Sequence, residues 1–196
     1  MRLYTGREKI FPEFIRINGE SFAINADFRN ILRIFAMMGD ENISTFKKWL
    51  KLREYFIKDS ERLEMPEIIE AFGRFINNEK ALNQGQNGDK FNIDEERQFC
   101  YEFDAEEIYA SFLSEYNLDL LECNFLHWRK FKIMLENLPE ASAFKKKIAL
   151  RFLNLSGISR DLPGFSDILE ARDAVRLPCI AEELETREFE EFWARV

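Results

Sequence analysis

The chain has 196 residues, 46% of them hydrophobic, and a formal net charge of −8. At that length roughly 70% of the unfolded surface is buried on folding, so a core can form without disulfides or metal. The acidity argues against nucleic acid or an acidic membrane as the main partner. Twenty Phe stand against five Tyr and three Trp, which predicts a core built from aromatic wedges. Cys100, Cys123 and Cys179 are widely spaced and odd in number, as suits buried thiols in a reducing compartment. Met1-Arg2-Leu3 leads into polar residues, so no signal peptide is expected. The apolar stretch Ile31 to Met38 carries Arg33 and falls far short of the ~20 residues of a membrane span.

Phe14–Ile17 and Glu20–Ile24 flank Asn18-Gly19, a pair that accepts the positive φ angles of a two-residue hairpin turn. Ile15 and Ile17 share one face of this ribbon, as do Phe22 and Ile24. A lone hairpin is marginal in water, so it should rest on helices. Asp27 has the position of a helix cap, followed by Phe28, Ile31, Leu32 and Phe35 at i, i+3, i+4 and i+7. Gly39 is expected to end that helix in a left-handed conformation. A second helix is predicted over Thr45 to Lys58, burying Phe46, Trp49, Leu50 and either Phe56 or Ile57. Pro66 suits the first turn of a third, which carries Ile68, Ile69, Phe72, Phe75 and Ile76.

From Asn78 to Gln98 the periodicity is lost, and Asn83 to Asp89 has no apolar residue to offset its ordering entropy. This reads as a flexible linker, 78–98, between an N-terminal hairpin-plus-helix lobe, 1–77, and a helical lobe, 99–178. In the second lobe Asp104 and Glu107 have capping-box spacing, with Phe103 placed to staple against Ile108 and Asn117 suited to a left-handed exit. Asp119 and Glu122 repeat the box and predict a long helix to Leu138-Pro139. On it Leu121, Phe125, Trp128 and Leu135 share one face, and Phe131, Met134 and Leu138 another. Further helices are predicted over about Ser142–Leu153 and Ser166–Arg176, the last stopped by Pro178. Residues 179–196 hold six glutamates against Arg187 and Arg195, giving −4, half of the net charge. Phe189, Phe192, Trp193 and Val196 nonetheless fall at i, i+3, i+4 and i+7, the pattern of an acidic amphipathic helix able to dock on its own body or on a partner. The fold class is therefore mainly α, with bundle-like helical lobes and a small N-terminal hairpin.

Catalytic signatures are missing. The sequence contains no glycine-rich phosphate loop and no nucleophile elbow. His127 is the sole histidine, so a usual metal site has no second histidine, and a structural hydrogen bond is its expected role. A cysteine–His127 nucleophile couple lacks the helix-start or glycine-turn context that would activate it. With 36 acidic residues, neighbours such as Glu106-Glu107 and Glu182-Glu183 arise by chance on solvated faces. The Lys145-Lys146-Lys147 run wraps around a helix and is likewise expected to be solvated. No catalytic, metal-binding or cofactor-binding residue is assigned.

Three ordered blocks carry a resemblance. They are Ile24-Asn25-Ala26-Asp27-Phe28-Arg29, with Leu32 and Phe35; Phe103-Asp104-Ala105-Glu106-Glu107-Ile108-Tyr109-Ala110-Ser111-Phe112, running to Tyr116-Asn117-Leu118-Asp119-Leu120; and Leu126-His127-Trp128-Arg129-Lys130-Phe131, then Leu135 and Leu138-Pro139. In this order and spacing they resemble the bacteriophage gene-product-fifteen family, found in phages and prophages with long flexible tails. The match covers about the first 35 residues and 99 to 178. It departs at Arg129, where the family usually has an aromatic, and near Leu150-Arg151 and Asn154-Leu155, where the family tends to have Tyr-Arg and then Asp-Leu. The middle segment and the acidic tail match nothing specific in it.

The resemblance implies a helical, non-enzymatic protein from the tail-gene neighbourhood, working in the cytoplasm of the bacterial host. The implied role is a tail assembly chaperone, with the tape-measure protein as its client and other tail assembly proteins as further partners. The rival readings are a structural virion component, such as a tail-completion or connector protein, and, more remotely, an enzyme. Phe189, Phe192, Trp193 and Val196 are the candidate partner-binding residues. Asp27, Phe28, Asp104, Tyr109, His127, Trp128 and Phe131 are the expected structural motif.

Overall fold

The computed structural model describes residues 10–76, 99–155 and 163–177. Among these the fold is mainly α, with seven helices and one two-stranded antiparallel hairpin. The predicted linker, 78–98, and the predicted acidic tail helix, 179–196, lie outside the described residues.

The hairpin forms as its turn chemistry dictates. Strands β1 (Phe14–Ile17) and β2 (Glu20–Ala23) pair in the register Ile15 with Phe22 and Ile17 with Glu20. Asn18 and Gly19 take φ of 52° and 87°, as a two-residue hairpin turn requires. Ile15, Ile17 and Phe22 are buried and Phe14 faces out, so the ribbon's apolar side meets the core.

The chain divides into two compact units, neither of them a single stretch of sequence: residues 123–136 cluster with the N-terminal part, while 137 onward cluster with 92–122. The first unit holds the hairpin and helices α1 (Phe28–Gly39), α2 (Thr45–Phe56), α3 (Met65–Ile76) and, from much later in the chain, α5 (Trp128–Glu136). Segment 24–28 is its backbone hub. Ile24 bridges Ile57 and Asp27 bridges His127, both antiparallel. The hydrogen bonds are Asn25 N–H to Phe56 O (2.9 Å), Phe28 N–H to Leu126 O (2.9 Å) and Trp128 N–H to Ala26 O (2.7 Å).

The core of this unit is a run of touching rings. Phe28 stacks on Phe131 at 4.7 Å, Phe131 on Trp128 at 5.8 Å, and Trp128 meets Phe35 edge-on at 5.5 Å. Phe35 continues to Phe72, Phe56 and Phe75, and the run ends on His127. Each such pair adds about 0.5–1.5 kcal/mol beyond burial of its area.

The second unit holds α4 (Ala105–Tyr116), α6 (Ala143–Arg151) and α7 (Phe165–Ala174). Among the described residues its apolar core is Ile108, Phe112, Leu120, Leu138, Phe144 and Leu177. Where α4 meets α6, buried Ser111 accepts a 3.0 Å hydrogen bond from the Phe144 N–H, and a small residue there admits the close approach. Asn117 ends α4 in the left-handed conformation expected of it, with φ 49°. Ser142 caps α6 by accepting from Lys145 N–H.

Several expectations are corrected. Gly39 lies inside α1, which Asp40 ends in extended conformation; no left-handed glycine is used. On α2 the buried residues are Leu52 and Phe56, with Ile57 just beyond; Phe46 and Leu50 are 71% and 45% exposed. The long helix predicted from Asp119 does not form. Residues 117–127 are non-helical, Leu121 and Phe125 are 74% and 54% exposed, and α5 begins only at Trp128. Residues 120–122 make only a turn, and the pairing of Leu126 and Trp128 with the hub fixes the residues just before α5 outside a helix; that non-local pairing outweighs the local helical pattern.

Candidate functional site: two polar junctions

The first junction forms around Asp27. As the cap of α1 it accepts from Arg29 N–H at 3.0 Å, and its two oxygens take both the Nε–H and an Nη2–H of Arg29 at 2.9 Å. Oδ2 also accepts from Leu126 N–H at 3.3 Å, so one carboxylate fixes both the helix start and the incoming strand. Burial opposes ionisation of Asp27, but the Arg29 and Leu126 hydrogen bonds outweigh it and hold the carboxyl below its ordinary value.

His127 sits opposite Asp27 on this bridge and is buried. Its Nδ1 accepts from Arg129 N–H at 3.1 Å. Its Nε2 therefore carries the proton and donates to Pro12 O at 3.0 Å. Burial pushes its pKa down, and the nearby Arg129 charge adds to that. Both ring nitrogens hydrogen-bond backbone groups. The Arg129 guanidinium lies 5.7 Å from the centre of the Phe75 ring.

The second junction forms around Asp104, which is wholly buried. Its expected role as a capping box is corrected. The carboxylate caps no helix N–H of α4; it accepts from Cys100 N–H at 3.0 Å and from Arg151 Nη1 and Nη2 at 3.1 and 2.7 Å. Lys147 Nζ stands 3.1 Å from Asp104 and 2.8 Å from Glu107, which therefore pairs with Lys147 and not back to the cap. Phe103 takes up the same cations, with Lys147 Nζ 4.6 Å and the Arg151 guanidinium 5.8 Å from its ring centre. Burial works against the Asp104 charge, but Arg151, Cys100 and Lys147 overcome it and hold its pKa low. Lys147 is itself raised: burial lowers it, and Glu107 and Asp104 more than reverse that. Arg151 Nε–H also donates to Val175 O at 2.7 Å, tying α6 to the end of α7. The expectation of a solvated lysine run thus fails at Lys147, while Lys146 remains exposed.

The structure brings Asp27, Phe28, His127, Trp128 and Phe131 together in the first unit. Asp104 and Tyr109 lie in the second, where the Tyr109 hydroxyl donates to Asp119 Oδ2 at 3.2 Å. Phe189, Phe192, Trp193 and Val196 lie outside the described residues. Sequence reasoning missed Arg29, Glu107, Lys147 and Arg151 as partners. Arg29 and Glu107 stood inside the blocks that carry the resemblance, whereas the 47-residue separation of Asp104 and Arg151 left no local signal.

Among the described residues no group of three or more His, Cys, Asp and Glu side chains converges as a metal site. A shallow groove beside the hairpin is lined by charges of both signs, including Glu20, Lys58, Asp59 and Arg62, without a convergent set. No helix among them is long and apolar enough to cross a membrane.

The fold and junctions thus define a helical protein whose buried polar groups serve structure. The family model described as Bacteriophage Gp15 protein matches residues 8–161, and the chain belongs to that family. This makes it a phage protein of a virion- or tail-related family that is not known for enzymes. The three blocks of the resemblance include the two polar junctions: the first and third blocks meet at Asp27–His127, and the second carries Asp104. No curated protein and no solved structure matches the chain.

Proposed function

We propose that this protein acts without catalysis as a tail assembly chaperone, holding the phage tape-measure protein until tail-tube subunits enclose it. The observation that carries the reading is membership of the phage family over residues 8–161. Two further features support it. Asp27, Asp104, His127 and Lys147, whose surroundings shift their protonation, all have structural partners, which supports a reading without a reacting group. Large apolar side chains also stand in solvent, as a protein that captures amphipathic helices requires. Phe189, Phe192, Trp193 and Val196, with the glutamates around them, are the proposed client-contacting stripe, the charge keeping the complex soluble. The site of action is the host cytoplasm.

The test is co-expression with a fragment of the tape-measure protein encoded beside it. The fragment should move from the pellet to the soluble fraction and co-purify with this chain, and purified virions should lack the chain. Failure to bind or solubilise the fragment, with the chain present in virions, replaces this reading with that of a structural virion component.

A further inference from the structure

Within the first unit, the His127 ring ties the start of α5 to a strap, residues 10–13, that lies 115 residues earlier in the chain. His127 immediately precedes α5, and its Nδ1 accepts from Arg129 N–H at 3.1 Å, which is the contact of a helix cap. Its Nε2 holds Pro12 O at 3.0 Å, and the Phe11 ring meets the imidazole edge-on at 5.4 Å. Two more bonds secure the strap. Arg129 Nη1 donates to Ile10 O at 3.4 Å, and Glu13 O accepts from Ile24 N–H at 2.9 Å. A neutral imidazole offers one donor and one acceptor, and this site uses each of them.

We propose that His127 is an acid-operated latch: a proton on its Nδ1 uncaps α5 and releases the strap, while the 24–28 hub stays paired. An imidazolium has two donors and no acceptor, so Nδ1–H would face Arg129 N–H, donor against donor. The new charge would also sit at the positive end of the α5 dipole. Relief requires the ring to turn, and turning withdraws Nε2 from Pro12 O. The charged groups around the ring divide in effect. Arg129 on α5 repels the proton, and Glu13 on the strap attracts it. Across the bridge, Asp27 spends its carboxylate on Arg29 and Leu126, and α3 meets the imidazole with the uncharged Phe75 ring while its Arg74 turns to Arg16 O. The hub bonds, Asn25 N–H to Phe56 O and Phe28 N–H to Leu126 O, join backbone groups alone, so this proton breaks neither.

The experiment is an NMR titration of the untagged full-length protein from about pH 7.5 to about pH 5, a range that spans the ordinary histidine pKa. His127 is the sole histidine, so its ring Hε1 signal reports its protonation without overlap. Amide exchange, corrected for the intrinsic effect of pH, is followed in the same samples. Protection of Arg129 and Ile24 should fall by about tenfold or more as Hε1 titrates, while Asn25 and Phe28 keep theirs. His127→Asn supplies a cap that takes up no proton, so its Arg129 and Ile24 protection should not change with pH. The wild-type readouts decide the matter alone should that variant fail to fold. Titration of Hε1 with Arg129 and Ile24 still protected overturns the proposal. Loss of all four amides together, with His127 charged only on global unfolding, overturns it as well. So does an acid loss at Arg129 and Ile24 that persists in His127→Asn.

Discussion

The two compact units solve the same problem with opposite materials. The first is built on rings: seven Phe and Trp side chains and His127 in continuous contact, with the carboxylate of Asp27 only part-buried at the margin and the buried Arg129 set against Phe75. Among its described residues the second has six large apolar core residues, and it places a carboxylate at full burial, held by two cations. A buried ion network gains little over a well-packed apolar core but is costly to break on one side. The aromatic unit should therefore fail by loss of volume, and the ionic unit by loss of a partner.

The largest effects test that contrast directly. Asp104→Ala should destabilise by about 3–5 kcal/mol, because Arg151 remains buried without its carboxylate. Trp128→Ala should cost a similar ~3–5 kcal/mol through the cavity it leaves. Denaturant unfolding measures both. Replacing Asp104 and Arg151 together by Leu and Met should recover much of the loss, whereas no second substitution of that kind rescues Trp128→Ala. Equal costs for the single and double changes at Asp104 and Arg151 would falsify the ionic account.

Acid separates the units next. The folded-state pKa of Asp104 is depressed, so its contribution is complete above about pH 4 and is lost as pH falls through the lowered value. Thermal melts below pH 4 should fall more steeply in the wild type than in Asp104→Asn. The pKa of His127 is also depressed, so below about pH 6.5 the unfolded chain takes up the proton first and stability declines. His127→Gln should flatten the decline that begins below about pH 6.5 while leaving the step below pH 4. An unchanged profile there would mean that His127 is charged when folded.

Smaller effects sharpen the picture. Asp27→Ala should cost about 1–2 kcal/mol, the upper range for a cap that also pairs with Arg29. Phe46→Ser should shift stability by no more than about 0.5 kcal/mol, since the ring is in solvent. A loss several times larger would show that Phe46 is packed by something.

What the sequence revealed divides along the same line. Features decided by neighbours in the chain were legible: the Asn18-Gly19 turn, the Asp27 cap, the Asn117 exit and the three helices of the N-terminal part. Features decided by distant partners were not. Asp104 carries the local signature of a cap, yet Arg151 claims it, and Asp119 and Glu122 have box spacing in a segment that leads not into a helix but into the pairing of His127 with Asp27. In that segment Asp119 still binds the N–H groups of Leu121 and Glu122, a local turn that never propagates. Periodicity marked Phe46 and Leu50 as apolar but could not say that the unit would turn Leu52 and Phe56 inward in their place. The family blocks carried the non-local information, because residues 24–29 and 126–131 meet in space.

That meeting bears on how the chain acquires its structure as it is made. The Leu126-to-Asp27 hydrogen bond spans 99 residues, so the first unit cannot begin to close its core until nearly two thirds of these 196 residues have left the ribosome. Until then Ala26 O and Phe28 N–H lack their partners, and Phe28 and Phe35 lack the rings of Phe131 and Trp128. Closing a loop of this length delays the rewarding contacts and slows folding relative to a bundle of sequential helices. Nascent chains stalled before residue 126 should thus expose the aromatic surface of α1, and chains released after 136 should conceal it.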